Sequence, residues 1–169
     1  MSAVTLIGMP ASGKSTVGVI LAKVLGMDFI DTDLLIQRQE KARLETIIAR
    51  IGNEAFLELE GKVCAGLAVD HAVVATGGSV VYSPEAMENL KRMGPVVYLE
   101  VEYETLAGRL HDIRKRGVVL PKGTSLRELY VERCRLYEAW ADITVREGTM
   151  TLEETVELVH RKIQEERIW

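Results

Sequence analysis

Short apolar runs alternate with segments of helical period along the whole chain, a pattern that predicts βα units built on a parallel sheet. Ala3-Val4-Thr5-Leu6-Ile7 reads as a first strand, and a helix-period segment from Val17 to Leu25 follows, closed by Gly26 at a C-cap position. Asp28-Phe29-Ile30-Asp31 reads as a short second strand. Two or three helical pieces are predicted between Asp33 and Asp70, broken near Lys41–Arg43 and at Gly52. Ala72-Val73-Val74-Ala75 is an apolar third strand running into Thr76-Gly77-Gly78-Ser79. Ser83-Pro84-Glu85 opens a helix, with a capping serine followed by proline at the first helical position. Val96-Val97-Tyr98-Leu99 is a fourth strand, followed by a helix from about Glu102 to His111. The periodicity then lapses from Ile113 to Gly123 into a basic, glycine-containing loop. Ser125-Leu126-Arg127-Glu128 is a capping box opening a helix to about Trp140, and Ile143-Thr144-Val145 is a fifth strand. Thr151 caps a final amphipathic helix to about Glu166. The expected fold is α/β, a five-stranded parallel sheet with helices on both faces, in a single domain over residues 1–169.

Composition narrows the function classes. The 169 residues can bury a core without staples, and 47% apolar with 27% charged residues is ordinary for a globular protein. A net charge of −4, with no long basic block, argues against a nucleic-acid or anionic-membrane partner. No apolar run is long enough to cross a bilayer, and the N-terminus lacks the build of a signal peptide, so a cytoplasmic location is expected. Cys64 and Cys134 have no metal spacing and read as reduced structural thiols. His71, His111 and His160 form no pattern.

The strongest local signal is Gly8-Met9-Pro10-Ala11-Ser12-Gly13-Lys14-Ser15-Thr16, between the first strand and the first helix. Its spacing is that of a phosphate-binding P-loop, G-x-x-x-x-G-K-[ST]. Gly8, Ala11, Ser12, Gly13 and Thr16 belong to a backbone that wraps close to phosphate oxygens, and the helix that follows adds free N–H groups and the positive end of its dipole. Lys14 would reach the β- and γ-phosphates and the Ser15 hydroxyl would ligate Mg²⁺. Nucleoside triphosphate binding follows, with ATP and Mg²⁺ as the expected cofactors.

Ligands of open parallel sheets sit beyond the carboxyl ends of the strands, which brings Asp31-Thr32-Asp33 and Gly77-Gly78-Ser79 beside the P-loop. Two acids alternating on an extended segment would point the same way. One could hold an Mg²⁺ water, and the other could accept the proton of an attacking hydroxyl. The competing reading makes Asp33 a helix cap before Leu34-Leu35-Ile36. The basic loop holding Arg114, Lys115, Arg116, Gly117 and Lys122 is either a solvated loop or a mobile lid that brings guanidinium groups over the γ-phosphate. Arg133 or Arg135, on the next helix, could bind an anionic substrate.

Taken in order, these pieces resemble the shikimate kinase family over nearly the whole chain. The matching segments are the P-loop, Asp28-Phe29-Ile30-Asp31-Thr32-Asp33, Gly52-Asn53-Glu54-Ala55-Phe56 with Glu60, Gly77-Gly78 before Ser83-Pro84, Val97-Tyr98-Leu99, and Arg133-Cys134-Arg135-Leu136-Tyr137 before Ala141-Asp142. The resemblance implies a P-loop kinase fold with a closing lid at about residues 113–123 and acceptor-binding helices over 33–70. The implied reaction is ATP-dependent phosphorylation of the 3-hydroxyl of shikimate. Lys14 and Ser15 match the phosphate and Mg²⁺ positions, and Asp31 the acid near the metal. Asp33 matches the acid that binds substrate hydroxyls and can act as base, and Gly77 and Gly78 the substrate-binding glycine loop. Arg109 matches an arginine stacked near adenine, Arg116 the lid arginine near the γ-phosphate, and Arg133 an arginine holding the substrate carboxylate.

Departures fall in the acceptor half. Leu57 stands where the family has a second carboxylate-binding arginine, Ser79 replaces the third glycine, and the lid reads Arg116-Gly117-Val118-Val119. A charge-assisted hydrogen bond contributes roughly 1.5–3 kcal/mol, so the missing arginine should cost about ten- to a hundredfold in affinity. Three outcomes remain open: Arg38 or Arg43 substitutes in space, shikimate binds weakly, or the acceptor is another small hydroxy acid such as homoserine. A nucleotide kinase and a non-catalytic nucleotide-binding module are the alternatives. The expected partner is a small-molecule hydroxy acid, with neither nucleic acid nor membrane, and the expected state is a monomer.

Overall fold

The computed structural model describes residues 3–110 and 121–165. Its strands are β1 (Ala3–Ile7), β2 (Asp28–Asp31), β3 (Ala72–Ala75), β4 (Val96–Glu100) and β5 (Ile143–Arg146). They form one sheet in the order β2-β3-β1-β4-β5, every pairing parallel. The strand residues are short apolar runs, with little of the polar alternation of a half-exposed sheet, because helices cover both faces. Consecutive side chains divide between two layers. Ile7, Val74, Val96 and Tyr98 pack with Met87 and Leu90 of α5 (Pro84–Met93) and Leu129 and Tyr137 of α7 (Leu126–Trp140). Val4, Leu6, Val73, Val97 and Val145 pack with Val17 and Leu21 of α1 (Lys14–Leu25) and Val156, Val159 and Ile163 of α8 (Leu152–Glu165).

A third, smaller cluster joins α2 (Thr32–Glu40), α3 (Leu44–Ile51) and α4 (Asn53–Ala65) through Ile36, Ile47 and Phe56. These are the helical pieces expected between Asp33 and Asp70, with the breaks where Lys41–Arg43 and Gly52 put them. Register brings the three loop-bearing strand ends together. Ala75 lies opposite both Leu6 and Asp31, so the chain leaves β1, β2 and β3 at one edge of the sheet.

Some boundaries differ from the sequence reading. The helix after β4 is α6 (Tyr103–Arg109), and Val80–Tyr82 forms an unanticipated 3₁₀ turn after β3. Asp31, not Asp33, is the N-cap of α2: its Oδ1 accepts from the backbone N–H groups of Asp33 (3.0 Å) and Leu34 (3.3 Å). Asp33 therefore sits in the first helical turn, and the two acids do not alternate along an extended strand. Residues 111–120, which hold His111, Arg114, Lys115, Arg116 and most of the expected lid, lie outside the described residues.

Candidate active site

The P-loop leaves β1 and ends at α1, whose N-cap is Gly13 with φ 87°. Ala11 also takes a left-handed conformation, φ 63°, in the middle of the loop. The loop folds back around the Lys14 ammonium, which donates to the carbonyls of Gly8 (2.9 Å) and Met9 (2.8 Å). Lys14 is 7% exposed, and burial lowers its pKa to about 8 against the opposing pull of Asp33, Asp31 and Glu60. The amine is thus held on backbone acceptors that a phosphate could replace.

Beside it, the Ser15 hydroxyl donates to Asp31 Oδ2 at 2.7 Å. Because Asp31 Oδ1 caps α2, one carboxylate ties the P-loop helix to the helix carrying Asp33. Hydroxyl and carboxylate oxygens are hard ligands suited to Mg²⁺, which takes the rest of its octahedral shell from phosphates and water. No cluster of three or more His, Cys, Asp or Glu exists among the described residues, consistent with an ion shared with a nucleotide rather than caged by protein. Arg109, on α6, donates to the Ala11 carbonyl (3.3 Å) and forms a two-pronged pair with Glu147 (3.0 and 3.1 Å), which sets it at the rim of the P-loop.

A cavity of about 330 Å³ opens next to the P-loop. Lys14, Ser15 and Thr16 of the P-loop line it together with Asp33, Glu60, Gly77, Gly78, Ser79 and Arg133. Asp33 is raised to about 6, first by burial and then by the neighbouring Asp31, with Lys14 pulling the other way. Arg133 is 1% exposed, an unusual depth for a guanidinium, and lies over the Tyr82 ring, 5.4 Å from its centroid.

The glycine loop is held by two long-range hydrogen bonds. Thr32 Oγ1 accepts from the Gly77 N–H (3.3 Å), the Tyr137 hydroxyl donates to the Gly78 carbonyl, and Tyr137 itself stacks on Tyr98 at 5.1 Å. Side chains are excluded here by close approach. A Cβ on Gly77 would lie 1.8 Å from Glu60 Oε1 and 2.8 Å from Asp33 Oδ1, and one on Gly78 would lie 2.7 Å from the Pro10 ring. Ser79, where the family has a third glycine, is buried and its hydroxyl favours the ionised form of the Glu60 carboxyl.

The expected P-loop residues, with Asp31, Asp33, Gly77, Gly78, Ser79, Arg109 and Arg133, lie at this edge of the sheet. Arg135 instead faces a separate depression with Val131 and Leu136, and Arg116 falls outside the described residues. The sequence reading passed over Glu60, Thr32 and Tyr137 as site residues. For Glu60 a signal existed: it falls at helical spacing on the buried stripe Phe56, Glu60, Cys64 of α4, where a carboxylate has no bland explanation. Leu57 does not line the cavity. It packs into the apolar cluster of α2, α3 and α4. Arg38 and Arg43 are exposed and likewise do not line the cavity, so neither takes the missing arginine's place here.

Comparison with known proteins agrees with this geometry. The family model "Shikimate kinase" matches residues 10–164. The shikimate kinase of Thermobifida fusca is 37% identical over 160 residues, covering 94% of this chain and 92% of the relative. That of Gloeobacter violaceus is 39% identical over 168 residues, covering 95% and 94%. Among solved structures, shikimate kinase from Acinetobacter baumannii in complex with shikimate superposes with a TM-score of 0.88 at 27% identity, over all of this chain and 96% of the other. The Aquifex aeolicus enzyme gives 0.83 at 28% identity, over 98% of each. With the family model spanning most of the chain and the same fold beneath it, the chain belongs to the shikimate kinase family.

Proposed function

We propose that this protein transfers the γ-phosphoryl group of ATP to a hydroxyl of shikimate, giving 3-phosphoshikimate, with Mg²⁺ bound at Ser15 and Asp31. The single observation that carries the reading is the pairing of Asp33 and the buried Arg133 in a cavity also lined by the P-loop. An acid to take a hydroxyl proton and a guanidinium to hold a carboxylate face the Lys14 ammonium, as an anionic hydroxy acid needs.

In this reading Lys14 exchanges its carbonyl partners for phosphate oxygens. Its charge and the P-loop N–H groups then oppose the negative charge that builds on the transferred group. Mg²⁺, when bound with the nucleotide, neutralises phosphate charge and fixes its orientation. Asp33 accepts the proton as the acceptor oxygen attacks, while Arg133 and the Gly77-Gly78 backbone fix the acceptor's position. Arg109 borders the base of the nucleotide, and Arg116, by its match to the family's pattern, supplies charge to the γ-phosphate. The protein acts as a monomer in the cytoplasm. Among the described residues no helix is long and apolar enough to cross a membrane.

ADP release measured across shikimate, homoserine, gluconate and nucleoside monophosphates tests the reading. Turnover selective for shikimate is expected. Selective turnover of homoserine would move the acceptor but keep the chemistry, and no acceptor-dependent ADP release from folded protein would overturn it.

A further inference from the structure

Glu60 is a buried acid that the phosphoryl-transfer scheme leaves without a task. It is 1% exposed, its Oε2 has no hydrogen-bond partner, and no ion pair among the described residues includes it. It lines the cavity together with the P-loop, and its Oε1 shares a narrow space with Asp33 Oδ1 beside Gly77. The charged residues among those lining the cavity are Lys14, Asp33, Glu60 and Arg133. With Lys14 committed to phosphate, the described residues lining the acceptor side hold one cation, Arg133, and two carboxyl groups, Asp33 and Glu60. If both were ionised, an anionic acceptor would meet more negative than positive charge on that side of the cavity.

We propose that Glu60 carries a proton when the acceptor binds, and that this neutral acid, in place of a second cation, is what admits an anionic hydroxy acid beside Arg133. A protonated carboxyl is neutral and has an O–H to donate, neither of which an ionised carboxylate offers. The groups facing Glu60 act in both directions. Burial and the charge of Asp33 on α2 favour the proton, while the Ser79 hydroxyl, Arg133 on α7 and Lys14 on α1 disfavour it. Cys64 on its own helix and Tyr137 on α7 also feel its charge. The balance raises the Glu60 carboxyl to about 7, so that acceptor binding above that pH must take up a proton from solvent.

The inference rests on the proposed acceptor class, and its test separates the two. Shikimate binding is measured by titration calorimetry between about pH 6 and 8, in pairs of buffers that differ in ionisation enthalpy. For the wild type, affinity should fall toward about tenfold per pH unit above pH 7, with uptake approaching one proton. Glu60→Gln, which imitates the neutral acid, should bind shikimate with affinity that varies less than about threefold over this range and without that uptake. Ser79→Ala removes a hydroxyl that favours the ionised form and should move the break to higher pH. It decides the matter if Glu60→Gln does not fold. A wild-type profile that is flat, a slope and uptake unchanged in Glu60→Gln, or a break unmoved in Ser79→Ala would each overturn the proposal. Absence of shikimate binding at every pH would instead overturn the assigned acceptor.

Discussion

Lys14 and Asp33 line one cavity, each displaced from its ordinary protonation behaviour by burial. General-base assistance contributes typically about 10²–10⁴-fold, so Asp33→Asn should lower kcat by that order while circular dichroism and thermal midpoint stay near wild type. Lys14→Ala should abolish acceptor-dependent ADP formation in the same assay. Near-native turnover in either variant would remove the residue from its assigned role. Glu60 makes a separate prediction for stability. Its folded pKa is raised from 4.5 to about 7, so the native state binds more protons than the unfolded chain between those values. The stability it contributes is present below about pH 4.5 and is lost as pH rises through about 7. Thermal unfolding of the ligand-free protein should therefore show Glu60→Gln gaining on the wild type as pH rises from 4.5 to 7, by an amount on the order of 1–3 kcal/mol. Parallel curves for the two proteins would contradict this.

Asp31 joins two elements through one side chain, Oδ2 on the Ser15 hydroxyl of α1 and Oδ1 on the first turn of α2. The two functions can be separated. Asparagine caps a helix about as well as aspartate, whereas alanine costs about 1 kcal/mol. Asp31→Asn should keep the thermal midpoint and raise the Mg²⁺ concentration needed for half-maximal activity, and Asp31→Ala should lose both. Equal midpoints for the two variants would show that the cap contributes nothing. The element boundaries show why local pattern read so well here. The breaks at Lys41–Arg43 and Gly52, the capping serines at 83 and 125 and the apolar strands are all encoded within a few residues of where they act. The competing reading of Asp33 as the cap of α2 falls two residues late, because Asp31 and Asp33 both suit the position. The choice depends on where β2 stops pairing with β3, at Asp31 opposite Ala75.

In the whole molecule, the nucleotide side rests on one contiguous loop and the acceptor side on residues drawn from α2, α4, the turn after β3 and α7. Leu57 illustrates the difference. It follows Phe56, which lines the cavity, but its own side chain joins the cluster of α2, α3 and α4. An arginine there would leave that apolar cluster for the cavity next to it. Leu57→Arg should lower the KM for shikimate by about ten- to a hundredfold in steady-state kinetics. An unchanged KM in an active variant would end the account of that position as a carboxylate site.

The P-loop, the five strands, their parallel arrangement and the class of chemistry were legible in the chain, because each depends on neighbours in sequence: a glycine spacing, an apolar run, a capping pair. Tertiary structure alone decided the acceptor pocket's interior. Thr32 meets Gly77, and Tyr137 meets Gly78, across long stretches of chain. Glu60 acquires its proton affinity only once the packed helices have buried it beside Asp33. Burial and charge proximity are properties of the packed molecule, and no local pattern of residues carries them.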